Sequence, residues 1–219
     1  MSESSSIPEP EFLSGLLRES LTVFELPKLA WSLPTLVALP RGRGEPVLVL
    51  PGFGASDAST LPLRGFLRAL GYNARGWELG VNHGNVRQLV PPVMELTTQW
   101  SAESGQRVRL IGWSLGGVLA RETARELPDK VERVITLGTP VVGGPKYTTV
   151  ARVYRQRGHD LDAIEATVAE RNRIPIRVPV TAIYTRGDGV VAWQACIDRD
   201  TPDIEHCEIS STHIGLGIS

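Results

Sequence analysis

Apolar residues along this chain follow two alternating rhythms, short solid runs and longer stretches with helical spacing. The run Pro46-Val47-Leu48-Val49-Leu50 is apolar throughout and stops at Pro51-Gly52, as a strand buried on both faces does. Helical spacing from Leu61 to Leu70 ends at Gly71, and Tyr72 to Trp77 reads as a further strand. Val86 to Glu103 predicts a helix after the Gly84-Asn85 turn, disturbed early by Pro91 and Pro92. Arg107 to Ile111 predicts a strand, Leu115 to Leu127 a helix ending before Pro128, and Val131 to Leu137 another strand. Val180 to Thr185 and Glu205 to Ile209 supply two more. Upstream, Leu13, Leu16, Leu17, Leu21 and Phe24 recur at helical intervals, so a helix packed on the domain is expected over Glu11 to Leu26.

Strands alternating with helices imply the α/β class, with a mostly parallel central sheet and helices on both faces. Val141 to Pro179 breaks the rhythm with Gly143-Gly144-Pro145, a polar stretch and a helix expected from Leu161 to Arg171. It reads as an insertion over one edge of the sheet, a candidate lid. The expectation is one domain over residues 11–219, with the lid-like insertion at 141–179, behind a disordered tail at 1–10.

Composition removes function classes rather than adding any. The 219 residues are 42% hydrophobic and 21% charged, an ordinary globular balance. A formal net charge of -1, with no Lys/Arg cluster interleaved with aromatics, argues against a nucleic-acid partner. Met1 to Pro10 lacks the basic and apolar parts of a secretory signal, and charges and prolines interrupt the Leu-rich residues 12–39. No transmembrane segment is therefore expected, and the cytoplasm is the expected compartment. The Leu-rich stretch lacks the basic face usual for a membrane-surface helix, so peripheral membrane contact is its weaker reading. Cys196 and Cys207 are expected to be free thiols.

Gly112-Trp113-Ser114-Leu115-Gly116-Gly117 fits G-x-S-x-G, with an apolar strand running into it and a helical pattern leaving it. A tight strand-to-helix turn would push the Ser114 side chain out at the carboxyl end of the sheet, and the helix N-terminus would aim N–H groups at the reaction centre. Ser114 is the candidate nucleophile. Its hydroxyl needs a base, and of the four histidines only His213 stands in a loop just past the last strand. His206 lies within that strand, His159 in the insertion, and His83 ahead of the nucleophile. The orienting acid is expected at Asp188, where Val180 to Thr185 runs into Arg186-Gly187-Asp188-Gly189. Asp198, Asp200, Asp203 and Glu205 compete for that role, from a polar stretch that reads as a solvated loop. Their spacing matches no metal-ligand pattern. One oxyanion donor is expected at the N–H of Leu115, and a second in Pro51-Gly52-Phe53-Gly54, with Phe53 ahead of Gly54. Trp77 to Gly84 reads as a structural turn, with the rim of the site as its alternative. Tyr147, Val150, Val153 and Tyr154 form either a lid face towards substrate or the apolar side of an ordinary helix.

Taken together, the segments 46–60 and 112–117, Thr136-Leu137-Gly138-Thr139-Pro140, Arg186-Gly187-Asp188-Gly189-Val190-Val191 and Thr212-His213 resemble bacterial lipase-like esterases of the α/β-hydrolase superfamily, in order and in spacing. The resemblance implies the α/β-hydrolase fold, a Ser114–Asp188–His213 triad, an oxyanion hole at Phe53 and Leu115, and no cofactor. It implies hydrolysis of a small-molecule carboxylic ester through an acyl-enzyme. Thioesterase, acyltransferase or amidase chemistry would use the same triad, and a binding protein without turnover is the reading from another class. This chain departs from the family in carrying Pro51-Gly52 where many lipases have His-Gly. Few residues follow His213, so the closing helix is expected to be short or absent, with the N-terminal helix in its place. The insertion is also smaller than many lipase lids.

Overall fold

The computed structural model describes residues 7–10, 15, 17, 19, 20 and 39–217. Six strands, β1 (Pro46–Leu50), β2 (Asn73–Gly76), β3 (Val108–Trp113), β4 (Val131–Leu137), β5 (Val180–Tyr184) and β6 (Ile204–Glu208), form one sheet. Its order is β2-β1-β3-β4-β5-β6, and every neighbouring pair is parallel. Helices α1 (Leu61–Ala69), α2 (Val86–Ser104) and α3 (Leu115–Glu126) link the first four strands. Between β4 and β5 lie α4 (Ala151–Gln156) and α5 (Leu161–Asn172). The elements expected from Pro46 onward are all present, with small shifts at their ends. The shift that matters is in β3, which runs on to Trp113 and delivers the chain directly to Ser114.

Strand alternation explains the two cores. Leu48 and Leu50 of β1 point to one face, among Trp77, Val93, Trp100, Leu110 and Leu119. Val47 and Val49 point to the other, among Ala74, Ile111, Leu137 and Leu216. All five residues of β1 are buried, which its unbroken apolar run requires. Each large side chain so buried contributes about 1.5–3 kcal/mol. In α2 the prolines Pro91 and Pro92 are accommodated within the helix, whose first turn is capped by the Asn85 side chain accepting from the N–H of Gln88.

Of the helix expected over Glu11 to Leu26, Gly15, Leu17 and Glu19 are described and helical. Leu13, Leu16, Leu21 and Phe24 lie outside the described residues. Leu17 faces solvent, whereas Glu19 is buried. The tail expected over residues 1–10 is described from Ile7, has no helix or strand over 7–10, and packs Ile7 against the cluster of Val191, Ala192, Ala195 and Cys196.

The topology fixes where a site can form. From β1 the chain steps out to β2, then crosses to β3 on the far side of β1, so the strand order reverses at the carboxyl ends of β1 and β3. With every strand parallel, the loops after β1, β3, β4, β5 and β6 open along the same edge.

One expectation is corrected. The stretch carrying Asp198 is not simply a solvated loop, because the Asp198 side chain is buried against Arg121 of α3 at 2.6 Å. It also accepts from the Thr201 hydroxyl at 2.5 Å and from the N–H of Asp200 at 2.7 Å. Helix α3 carries Arg121 into the interior, and a buried guanidinium demands a carboxylate. Burial favours the neutral acid, yet Arg121, Thr201 and Asp200 hold the Asp198 carboxyl below the ordinary aspartate range. Asp198→Ala is expected to cost about 3–5 kcal/mol by urea denaturation, since it leaves Arg121 charged and unpaired. Because the folded pKa is depressed, this stabilisation is complete above the ordinary aspartate value and is lost as pH falls through the folded one. Acid unfolding of the parent, compared with Asp198→Asn, measures it.

Candidate active site

Strand β3 leads into Ser114, whose backbone adopts φ 53°, ψ -122°, a left-handed conformation unusual for a residue with a side chain. The Ser114 N–H donates to Leu137 O at 2.8 Å, so β4 holds the turn against the sheet. The turn needs bare backbone on both sides. A Cβ at Gly112 would lie 2.3 Å from the backbone of Gly116 and Gly117, and one at Gly116 would lie 2.2 Å from Leu50 O. Across the crevice Gly52 abuts Ser114, where a Cβ would stand 3.2 Å from the serine Cβ. The Ser114 hydroxyl makes no hydrogen bond to a described residue.

Asp188 stands in the turn after β5. Its Oδ1 accepts from the N–H groups of Val190 and Val191 at 2.8 and 2.7 Å, which fixes the carboxylate. Its Oδ2 lies 2.7 Å from His213 Nδ1. Both residues are buried, at 5% exposure each. A carboxylate oxygen accepts, so this bond takes a proton on His213 Nδ1. The histidine loop is clamped from two sides. The Trp113 indole N–H donates to His213 O at 3.0 Å, with the two rings 5.8 Å apart. Thr185, at the end of β5, donates its hydroxyl to Ser211 O at 2.8 Å. Of the expected residues, Asp188 and His213 are joined directly, and Ser114 reaches them through its neighbour Trp113.

Two N–H groups belong to the residues that follow Ser114 and its neighbour Gly52. Those of Leu115, at the start of α3, and of Phe53 have no acceptor among the described residues. The N–H of Gly54, the second choice on that loop, is committed to Asn82 O at 2.8 Å. The other histidines stand elsewhere: His206 Nε2 accepts from the Asp198 N–H at 3.0 Å, and His83 and His159 are exposed.

Three further contributors hold the loops around the site; the sequence marks Tyr154 and the Trp77–Gly84 loop only as alternatives, and Glu19 only as part of a helical stretch. Asn82 is fully buried and donates from Nδ2 to Pro51 O at 2.9 Å, while its Oδ1 accepts from the Gly84 N–H at 3.1 Å. Its backbone pairs with Gly54 and Ala55, so the Trp77–Gly84 loop is a turn whose work is to fix the Phe53 loop. An asparagine between Gly80 and Gly84 just past a strand was the available hint. Tyr154 of α4 donates its hydroxyl to Gly84 O at 3.0 Å and sets its ring 5.5 Å from that of Phe53. Burial pushes this phenol up to about 12, against the pull of Arg157. Tyr147, by contrast, turns to Glu165 of α5. The third contributor is Glu19, whose carboxylate reaches the loops of both Asp188 and His213.

No family model matches the sequence, and no curated protein is similar to it. Solved structures are similar in fold. A Bacillus licheniformis lipase superposes with a TM-score of 0.61 at 15% identity, over 82% of this chain and 89% of that one. A lipase-esterase related protein from Clostridium acetobutylicum gives 0.60 at 17%, over 81% and 91%. The mouse alpha/beta hydrolase domain-containing protein 10 gives 0.54 at 20%, over 79% and 83%. The chain thus has the α/β-hydrolase fold.

Asn82→Ala would leave the carbonyl of Pro51 and the N–H of Gly84 without partners. It is expected to lower stability by about 1–3 kcal/mol in urea titration.

Proposed function

We propose that this protein is a serine hydrolase that cleaves carboxylic esters through an acyl-enzyme, with Ser114 as nucleophile, His213 as base and Asp188 as orienting acid. The observation that carries the reading is the buried 2.7 Å bond between Asp188 and His213, formed at the sheet edge where Ser114 is held in its strained turn. In the reaction the Ser114 Oγ–acyl carbon bond forms as His213 Nε2 takes the hydroxyl proton. The oxyanion is met by the N–H groups of Leu115 and Phe53, which are fixed by helix α3 and by the Asn82 clamp and so need little reorganisation. His213 then returns the proton to the departing alkoxide, and water activated by the same imidazole breaks the acyl–Oγ bond to free the acid. Esterases and lipases among the structural neighbours support the ester as the substrate class. The segment carrying α4 and α5 acts as a small lid, with Tyr154 resting on the oxyanion loop.

A fluorophosphonate probe is expected to label the parent at Ser114 and to leave Ser114→Ala unlabelled. p-Nitrophenyl esters of rising chain length, run beside acyl-CoA thioesters, check the acyl chemistry, and turnover of thioesters alone would overturn the ester assignment. Asp188→Asn, which can stabilise the wrong imidazole tautomer, is expected to lower kcat by about four orders of magnitude while the fold persists.

A further inference from the structure

The described part of the N-terminal segment lies against the two loops that carry Asp188 and His213. At Gly15 a Cβ would stand 2.1 Å from Gly189 O, so the segment runs in backbone contact with the acid loop. One turn further on, the Glu19 side chain is buried at 8% exposure. Its Oε1 accepts from the N–H of Gly189 at 2.8 Å and from that of His213 at 3.0 Å, and its Oε2 accepts from the N–H of Ile214 at 2.8 Å. These donors sit in turns beyond the ends of β5 and β6, where no neighbouring strand can satisfy them. Among the described residues Glu19 is the acceptor that each of them has. A carboxylate taking three N–H groups forms charge-assisted bonds, stronger than the neutral ones it replaces. The mechanism above has no use for this acid, yet it is bonded to the backbone of the catalytic base and of the residue following the catalytic acid.

We propose that Glu19 is a positioning residue for the triad: its carboxylate locks the acid loop to the histidine loop, keeping the Asp188–His213 pair aligned on Ser114. This rests on the serine-hydrolase reading, and the experiment separates the two.

The full-length parent, Glu19→Gln, Glu19→Ala and the control Glu9→Gln are compared. Glu9 lies in the same N-terminal region, pairs with exposed Arg155, and should behave as the parent. Glu19→Ala is expected to lower kcat and the fluorophosphonate labelling rate by about 10–100-fold, the cost of a small misplacement of reacting groups. KM should stay within about two-fold, because no substrate contact is removed. Glu19→Gln, similar in shape but with one acceptor replaced by an amide donor, should show a smaller loss and decides the matter if Glu19→Ala does not fold. Two readouts do not depend on turnover. The low-field proton resonance of the His213 Nδ1–H should broaden or move upfield, and amide exchange at Gly189, His213 and Ile214 should accelerate. Folded Glu19 variants with parental labelling, kcat and low-field proton would overturn the proposal while leaving the hydrolase reading intact. A folded parent that is neither labelled nor active would overturn the hydrolase reading and, with it, the catalytic part of this one. Parental amide exchange in Glu19→Gln would then remove the tie itself.

Discussion

A non-glycine backbone held at φ 53°, ψ -122° costs on the order of 1–3 kcal/mol, and everything around Ser114 is arranged so that the chain stays there. Strand β3 fixes its entry, α3 fixes its exit, and the Leu137 carbonyl holds its N–H. The conformation is possible only because Gly112 and Gly116 leave room where Leu50 and the α3 backbone press in. The same compactness brings Gly52 against the serine and so sets how far the Phe53 loop stands from it. A looser turn would let the sheet close, but it would not give the geometry on which the proposed nucleophile depends.

Around this turn the loops are tied by buried or half-buried polar side chains that each satisfy several backbone groups. Asp57 accepts from the N–H groups of Trp77 and Glu78, Asn82 joins the Pro51 and Gly84 loops, and Thr185 joins the ends of β5 and β6. Loops at a sheet edge have no ladder of their own, so such clamps substitute for one. Tyr154 extends the principle to the segment between β4 and β5 through its bond to Gly84 O. On the far side of that segment, Arg171 of α5 bridges Glu122 and Glu126 of α3, anchoring it to the helix that follows Ser114.

What could be read in the amino-acid order was local. The solid run at Val47–Leu50, the G-x-S-x-G between strand and helix, and an aspartate and a histidine each just past a strand are short-range patterns, and the fold sets them on one edge. Asp198 misled because a polar neighbourhood looks solvated until Arg121, distant in sequence, is found facing it. Asn82, in a loop that reads as a turn, and Glu19, in a helical stretch, gave no sign of their partners for the same reason. Their partners are backbone groups, which carry no residue identity and leave no mark at the positions they occupy. On the loop after β1, too, the difference between Phe53 and Gly54 lies in a backbone bond, the one from the Gly54 N–H to Asn82 O, which leaves no mark in the sequence.

The parallel sheet has a kinetic consequence. Parallel neighbours cannot be joined by hairpins, so every pairing from β1 to β6 closes a long crossover, and contact order is high. Loops after β1, β3, β5 and β6 must all be in register before the edge they share exists. Collapse and helix formation can run ahead, but the shared edge emerges only with the final arrangement. The proposed hydrolysis would therefore be a stringent clock for the last step of refolding, one that spectroscopic probes of helix content would miss.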